Sequence, residues 1–108
     1  MNVLVVDDQV SVFEAVKFGM PKDVCWFAEN GVVPTEVGEV DLILLDYNMP
    51  VKGPLLVEGL RARFPKALIV GHTTAVGDAK VRAAFGEAGV ERVVRKFDYE
   101  NIARELES

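Results

Sequence analysis

The chain carries a single cysteine, Cys25, and a single histidine, His72. One thiol excludes an internal disulfide and a cysteine metal cage, and the reducing cytoplasm is the compartment that suits it. Cys25 reads as a core thiol. One imidazole with no second nitrogen ligand leaves a chelating site unsupported, so His72 reads as a structural histidine at a strand end. Long hydrophobic runs are missing too. The opening MNVLVVDDQ has no basic region and meets acids after a handful of apolar residues, which excludes a signal peptide or a membrane span. Basic residues are also short: 12 Lys and Arg face 17 Asp and Glu, for a net charge of −5. Phosphate backbones and anionic lipid are repelled on average, so neither nucleic acid nor a membrane is expected as a direct partner. There is no repeat, low-complexity tract or linker.

What is present is the composition of an ordinary globule, 50% hydrophobic and 27% charged, and residues 1–108 are expected to form one domain. Three β-branched runs stand out: Val3 to Val6, Leu42 to Leu45, and Ala67 to Val70. Continuous rather than alternating apolar runs belong to strands covered on both faces, as in a parallel sheet. Weaker candidates at Val24 to Ala28 and Arg92 to Arg95 bring the count to five. Between the runs lie residues at helical spacing: Val12, Phe13, Val16 and Met20; Leu56, Val57, Leu60 and Phe64; Val81, Ala84, Phe85 and Ala88; Tyr99, Ile102, Ala103 and Leu106. This alternation predicts right-handed crossovers and a doubly wound α/β fold. Only Asn30 to Val40 separates the second strand from the third, with two glycines and a proline, so the second helix is expected to shrink to a turn or two.

Ligands of a doubly wound sheet sit beyond the carboxyl ends of its strands. Strand one ends in Asp7-Asp8, and strand three, in DLILLDYNMP, runs straight into Asp46. Strand four leads to Thr73-Thr74-Ala75, and strand five ends in Arg95-Lys96. Three carboxylates in one crevice repel one another unless a cation neutralises them, and such an oxygen-rich cluster suits Mg²⁺. Lys96 and a threonine hydroxyl could then contact a phosphoryl group, with the central Asp46 as the candidate nucleophile. Each residue has a plainer reading. Asp7-Asp8 could turn the chain and cap the helix SVFEAVKF, Thr74 could be a helix cap, Asp46 a turn acid, and Lys96 a solvated lysine among Arg92 and Arg95. Their conjunction favours chemistry.

With these residues in place, the sequence resembles the response-regulator receiver domain of two-component signalling, over essentially the whole chain. VLVVDDQ resembles the family's first strand and acidic pair, LILLDYNMP its D-x-x-M-P phosphorylation site, TTA its Thr-Ala, and AGVERVVRK its lysine-terminated ending. The resemblance implies a flavodoxin-like strand order 2-1-3-4-5. It implies Asp46 as phosphoacceptor, Mg²⁺ bound by Asp8, Asp46 and the backbone carbonyl of Asn48, and Asp7 holding metal-bound water. Lys96 and Thr74 would contact the phosphoryl oxygens; Thr73 is the alternative if strand four is one residue out of register. The implied donor is a sensor histidine kinase or phosphotransfer protein, and the implied output is a protein target or a phosphorylation-dependent homodimer. Such a domain is a phosphoacceptor rather than an enzyme, although it catalyses its own phosphorylation and dephosphorylation.

Two departures from the family pattern carry consequences. Phe97 follows Lys96 where the family has a cis proline, so a trans bond is expected. Val93 stands where many members carry Tyr or Phe, so output gated by that ring is excluded. Asn48 and Val76 occupy the positions that tune dephosphorylation in the family. Three other classes remain as rivals. A haloacid-dehalogenase-type Mg²⁺ phosphatase needs a second acid two residues after the nucleophile, where this chain has Asn48. A flavin or nucleotide binder needs a glycine- or hydroxyl-rich loop after strand one, where this chain has Asp7-Asp8. The last is a phosphorylation-independent interaction scaffold.

Overall fold

The computed structural model describes residues 1–100, Ile102 and Arg104. The five apolar runs become β1 (Asn2–Asp7), β2 (Val24–Glu29), β3 (Leu42–Leu45), β4 (Leu68–Thr73) and β5 (Val93–Arg95). All four pairings are parallel, and the order is β2-β1-β3-β4-β5. β1 and β3 are central, and Val3 to Val6 and Leu42 to Leu45 are buried on both faces. Strand alternation sorts these residues into two cores. Leu4, Val6, Ile43, Leu45 and Ile69 face one side, where α2 (Val57–Arg63) and α3 (Ala79–Glu87) supply Val57, Leu60, Val81 and Phe85. Val3, Val5, Leu42, Leu44 and Val70 face the other, against Val12 and Val16 of α1 (Val10–Gly19) and against Tyr99 and Ile102. Tyr99, Glu100, Ile102 and Arg104 are helical; Ala103 and Leu106, also expected there, lie outside the described residues.

The interval between β2 and β3 contains no helix at all, so the expected shrinkage is complete. The cause is local. Asn30 and Gly31 both take positive φ, 54° and 85°, which ends β2 in a turn that no right-handed helix can continue. The segment instead lays Val37 and Val40 over the core as single buried residues. β4 runs three residues further than its apolar run, through Gly71 and His72 to Thr73. That extension brings the hydroxyl residues to the sheet's carboxyl edge. A 3-10 turn, Gly53–Leu56, precedes α2 and holds Pro54 at its start, where a missing N–H costs nothing.

Candidate functional site

Asp7, Asp46 and Lys96 meet because they share a strand phase. β1 pairs Val6 with Leu45, and the Asp46 N–H donates to the Val6 carbonyl at 2.9 Å, so Asp7 and Asp46 lie side by side one step further on. Both point to the α1 side of the sheet, like Val5 and Leu44 two residues before them. The Lys96 N–H donates to the Thr73 carbonyl at 3.0 Å, which extends the β4–β5 ladder by one residue and brings the lysine alongside. Its Nζ lies 2.8 Å from Asp7 Oδ2 and 3.0 Å from Asp46 Oδ1. Asp8 completes the group: Asp7, Asp8 and Asp46 each offer an oxygen within 4.8 Å of the others.

Burial raises the Asp7 pKa, and repulsion from Asp46 adds to it while Lys96 opposes. Burial likewise raises Asp46 against the pull of Lys96. For Lys96 burial works against the charge, but the two carboxylates outweigh it and its pKa rises. Three carboxylates set against one ammonium leave an excess of negative charge that one divalent cation would offset. The all-oxygen donor set fits Mg²⁺, a hard cation that takes few protein carboxylates. A cavity of about 500 Å³ opens above the group, its walls including Asp8, Asp46, Asn48, Thr74, Lys96 and Phe97.

The plainer readings separate residue by residue. Asp8 does not cap α1, whose N-cap is Gln9 with no side-chain cap bond. Asp7 does serve the turn, accepting from the Gln9 N–H at 3.0 Å with its other oxygen. Thr74 does not cap α3 either. That task falls to Asp78, which accepts from the Lys80 and Val81 N–H groups, a cap signature the sequence displays as Asp78-Ala-Lys-Val. The two threonines differ in environment. Both line the cavity, but Thr73 is buried and its Oγ1 accepts from the Ala75 N–H at 3.1 Å, whereas Thr74 is exposed.

No cis peptide bond occurs among the described residues, and the chain turns after Lys96 through Phe97, a residue 59% exposed, at φ 69°. A left-handed residue thus makes the corner that directs Lys96 back to the acids. His72 is fully buried against the Tyr99 ring, 5.7 Å between centroids, and neither ring nitrogen has a hydrogen-bond partner. Burial first, and then the nearby Lys96, lower its pKa to about 3. It is a neutral core residue.

Two residues passed over in the sequence matter here. Gly53 presses against the acceptor's backbone: its N–H donates to the Tyr47 carbonyl, and a Cβ on it would lie 1.8 Å from the Asp46 carbonyl oxygen. Lys52 reaches back over the Tyr47 ring to Asn48. A glycine some residues after a strand-end acid signals only a turn, so neither contact was legible beforehand.

No family model matches the chain, and no curated protein matches it. Solved structures do. The BeF3-activated DrrB receiver domain superposes with a TM-score of 0.79 at 18% identity, covering 98% of this chain and 93% of that one. The chemotaxis response regulator CheY4 of Vibrio cholerae gives 0.79 at 22% identity, covering 98% and 95%. The response regulator TrrA of Thermotoga maritima, solved with Mg²⁺ and a beryllium fluoride, gives 0.74 at 23% identity, covering 98% and 96%. The chain therefore has the CheY-like fold of response-regulator receiver domains, with the flavodoxin-like strand order. No helix among the described residues is long and apolar enough to cross a membrane.

Proposed function

We propose that residues 1–108 form one phosphoacceptor domain of a two-component system, working in the cytoplasm. The observation that carries this reading is the Lys96 ammonium bridging Asp7 and Asp46 at the carboxyl edge of a parallel sheet, with Asp8 within reach of both acids. A carboxylate oxygen of Asp46 attacks the phosphorus of a phosphohistidine carried by a sensor kinase or phosphotransfer protein. The P–N bond breaks, and the imidazole, already protonated on its other ring nitrogen, leaves as the neutral ring. Asp8, Asp46 and the Asn48 backbone carbonyl would hold Mg²⁺, with Asp7 on its water, and the cation would supply charge neutralisation for the phosphoryl oxygens.

The chain's own groups do the rest. Lys96 exchanges part of its contact with the acids for a phosphoryl oxygen, as a point charge. Thr74, exposed on the loop between β4 and α3, donates its hydroxyl to another. Drawing that loop inward biases a two-state surface around β4, α3 and β5, and a differential of about 3 kcal/mol is enough to shift the population. The altered surface binds a protein target or a second copy of the chain. With Val93 in place of an aromatic ring, the loop itself carries the signal.

The test is an intact-mass spectrum after incubation with Mg²⁺ and acetyl phosphate, with Asp46→Asn in parallel. The expected result is one added phosphoryl group that requires both the metal and Asp46. A folded protein that gains none would overturn the reading and leave a phosphorylation-independent scaffold; continuous release of phosphate from small esters would point to a phosphatase.

A further inference from the structure

The loop after Asp46 is closed upon itself. Tyr47 is held by an edge contact with Phe85, 5.9 Å between ring centroids, and Gly53 is packed against the Asp46 backbone. Lys52, the residue before Gly53, is thereby aimed back across the loop. Its Nζ lies 5.4 Å from the Tyr47 ring centroid and 2.5 Å from Asn48 Oδ1. An ammonium only donates, so this contact fixes the orientation of the Asn48 amide: the oxygen faces Lys52 and the NH₂ is turned from it.

Asn48 lines the cavity two residues from the acceptor. Its side chain has two chemically different ends there. The NH₂ can only donate, to an oxygen of a phosphoryl group. The carbonyl oxygen alone can accept a hydrogen bond from a water and orient it for attack on phosphorus, the role an amide plays in other phosphoryl hydrolyses. We propose that Lys52 prolongs the life of the phosphoryl group on Asp46 by holding the Asn48 carbonyl oxygen away from the attacking water. Lys52 is a positioning residue acting through Asn48, and the inference rests on the phosphoacceptor reading. The step it restrains is hydrolysis: water oxygen bonds to phosphorus, the bond from phosphorus to the Asp46 carboxylate oxygen breaks, and both water protons leave with inorganic phosphate as dihydrogen phosphate.

The experiment loads the protein with acetyl phosphate and Mg²⁺, removes the donor by desalting, and follows the loss of the phosphoryl group by intact mass. Lys52→Met removes the donor while keeping the chain's length, and Lys52→Arg keeps a donor. Loss should accelerate roughly 2- to 10-fold in Lys52→Met, the rate equivalent of one neutral hydrogen bond to the attacking water. Lys52→Arg should stay near the unsubstituted rate. In an Asn48→Ala background the Lys52→Met change should have no effect, because the group it releases is gone. Unchanged or slower loss in Lys52→Met overturns the inference, as does acceleration that persists without Asn48 or that Lys52→Arg also shows. Failure of the unsubstituted protein to take up a phosphoryl group at all overturns the phosphoacceptor reading and this inference with it, a result distinct from uptake with an unaltered lifetime.

Discussion

Replacing Lys96 by methionine tests the electrostatic centre directly. Asp7 and Asp46, 0% and 4% exposed, share one counter-charge, and Lys96 is the group that opposes the rise of both carboxyl pKa values. Removing one partner of a buried charge group costs about 3–5 kcal/mol. The lower end applies here, because a carboxyl with a raised pKa escapes part of the penalty by taking up a proton. With a urea m-value of about 1–2 kcal/mol/M for a chain of this size, a loss of about 3 kcal/mol moves the midpoint down by roughly 1.5–3 M. The pH dependence has a definite sign. Carboxyl groups whose folded pKa lies above the unfolded 3.8 are a stability term that is present below 3.8 and lost as pH rises through the folded value. Without Lys96 both folded values rise further, so the deficit should be small near 3.8, grow with pH, and shrink when Asp7→Asn is added. Urea titrations of the metal-free protein at acid and neutral pH provide the check. A deficit under about 1 kcal/mol at neutral pH, or one that does not change with pH, would refute the account of a shared counter-charge.

Other substitutions probe the neighbouring features. Phe97→Gly should raise stability by about 0.5–1 kcal/mol, since it relieves a left-handed residue and removes a mostly exposed ring, whereas Phe97→Pro demands φ near −65° against the observed 69° and should cost about 3 kcal/mol; thermal melts that rank the two in the opposite order would contradict the turn. Gly53→Ala places a Cβ 1.8 Å from the Asp46 carbonyl oxygen and should cost about 3 kcal/mol or more while reducing phosphoryl uptake, read by urea unfolding and intact mass. His72→Leu should be neutral or stabilising near neutral pH because neither imidazole nitrogen is paired. It should be clearly stabilising in acid: between 6.5 and about 3 the unfolded histidine takes up a proton that the folded one refuses, so the unsubstituted protein loses stability as pH falls, by about 3 kcal/mol at pH ~4. Equal acid sensitivity of the two proteins would show that His72 is not buried neutral.

The central strands were readable from the residues alone. A strand buried on both faces must be apolar at every position, so Val3 to Val6 and Leu42 to Leu45 announce themselves without reference to any partner. A polar residue that abruptly ends such a run then marks the sheet's carboxyl edge, which is why Asp7, Asp8 and Asp46 stand out together. The structure decided matters that depend on neighbours distant in the chain. Whether the stretch from Asn30 to Val40 keeps a turn of helix rests on two consecutive positive φ angles and on what Val37 and Val40 can reach across the sheet. The environments of Thr73 and Thr74 show the same division. One residue of strand phase buries Thr73, whose Oγ1 accepts within its own turn, and leaves Thr74 exposed, while both line the cavity. Lys52 was silent for a related reason. Its position over Tyr47 and against Asn48 exists only because Gly53 packs on the backbone of Asp46 and Phe85 holds the tyrosine, contacts set by tertiary packing rather than by any spacing in the sequence.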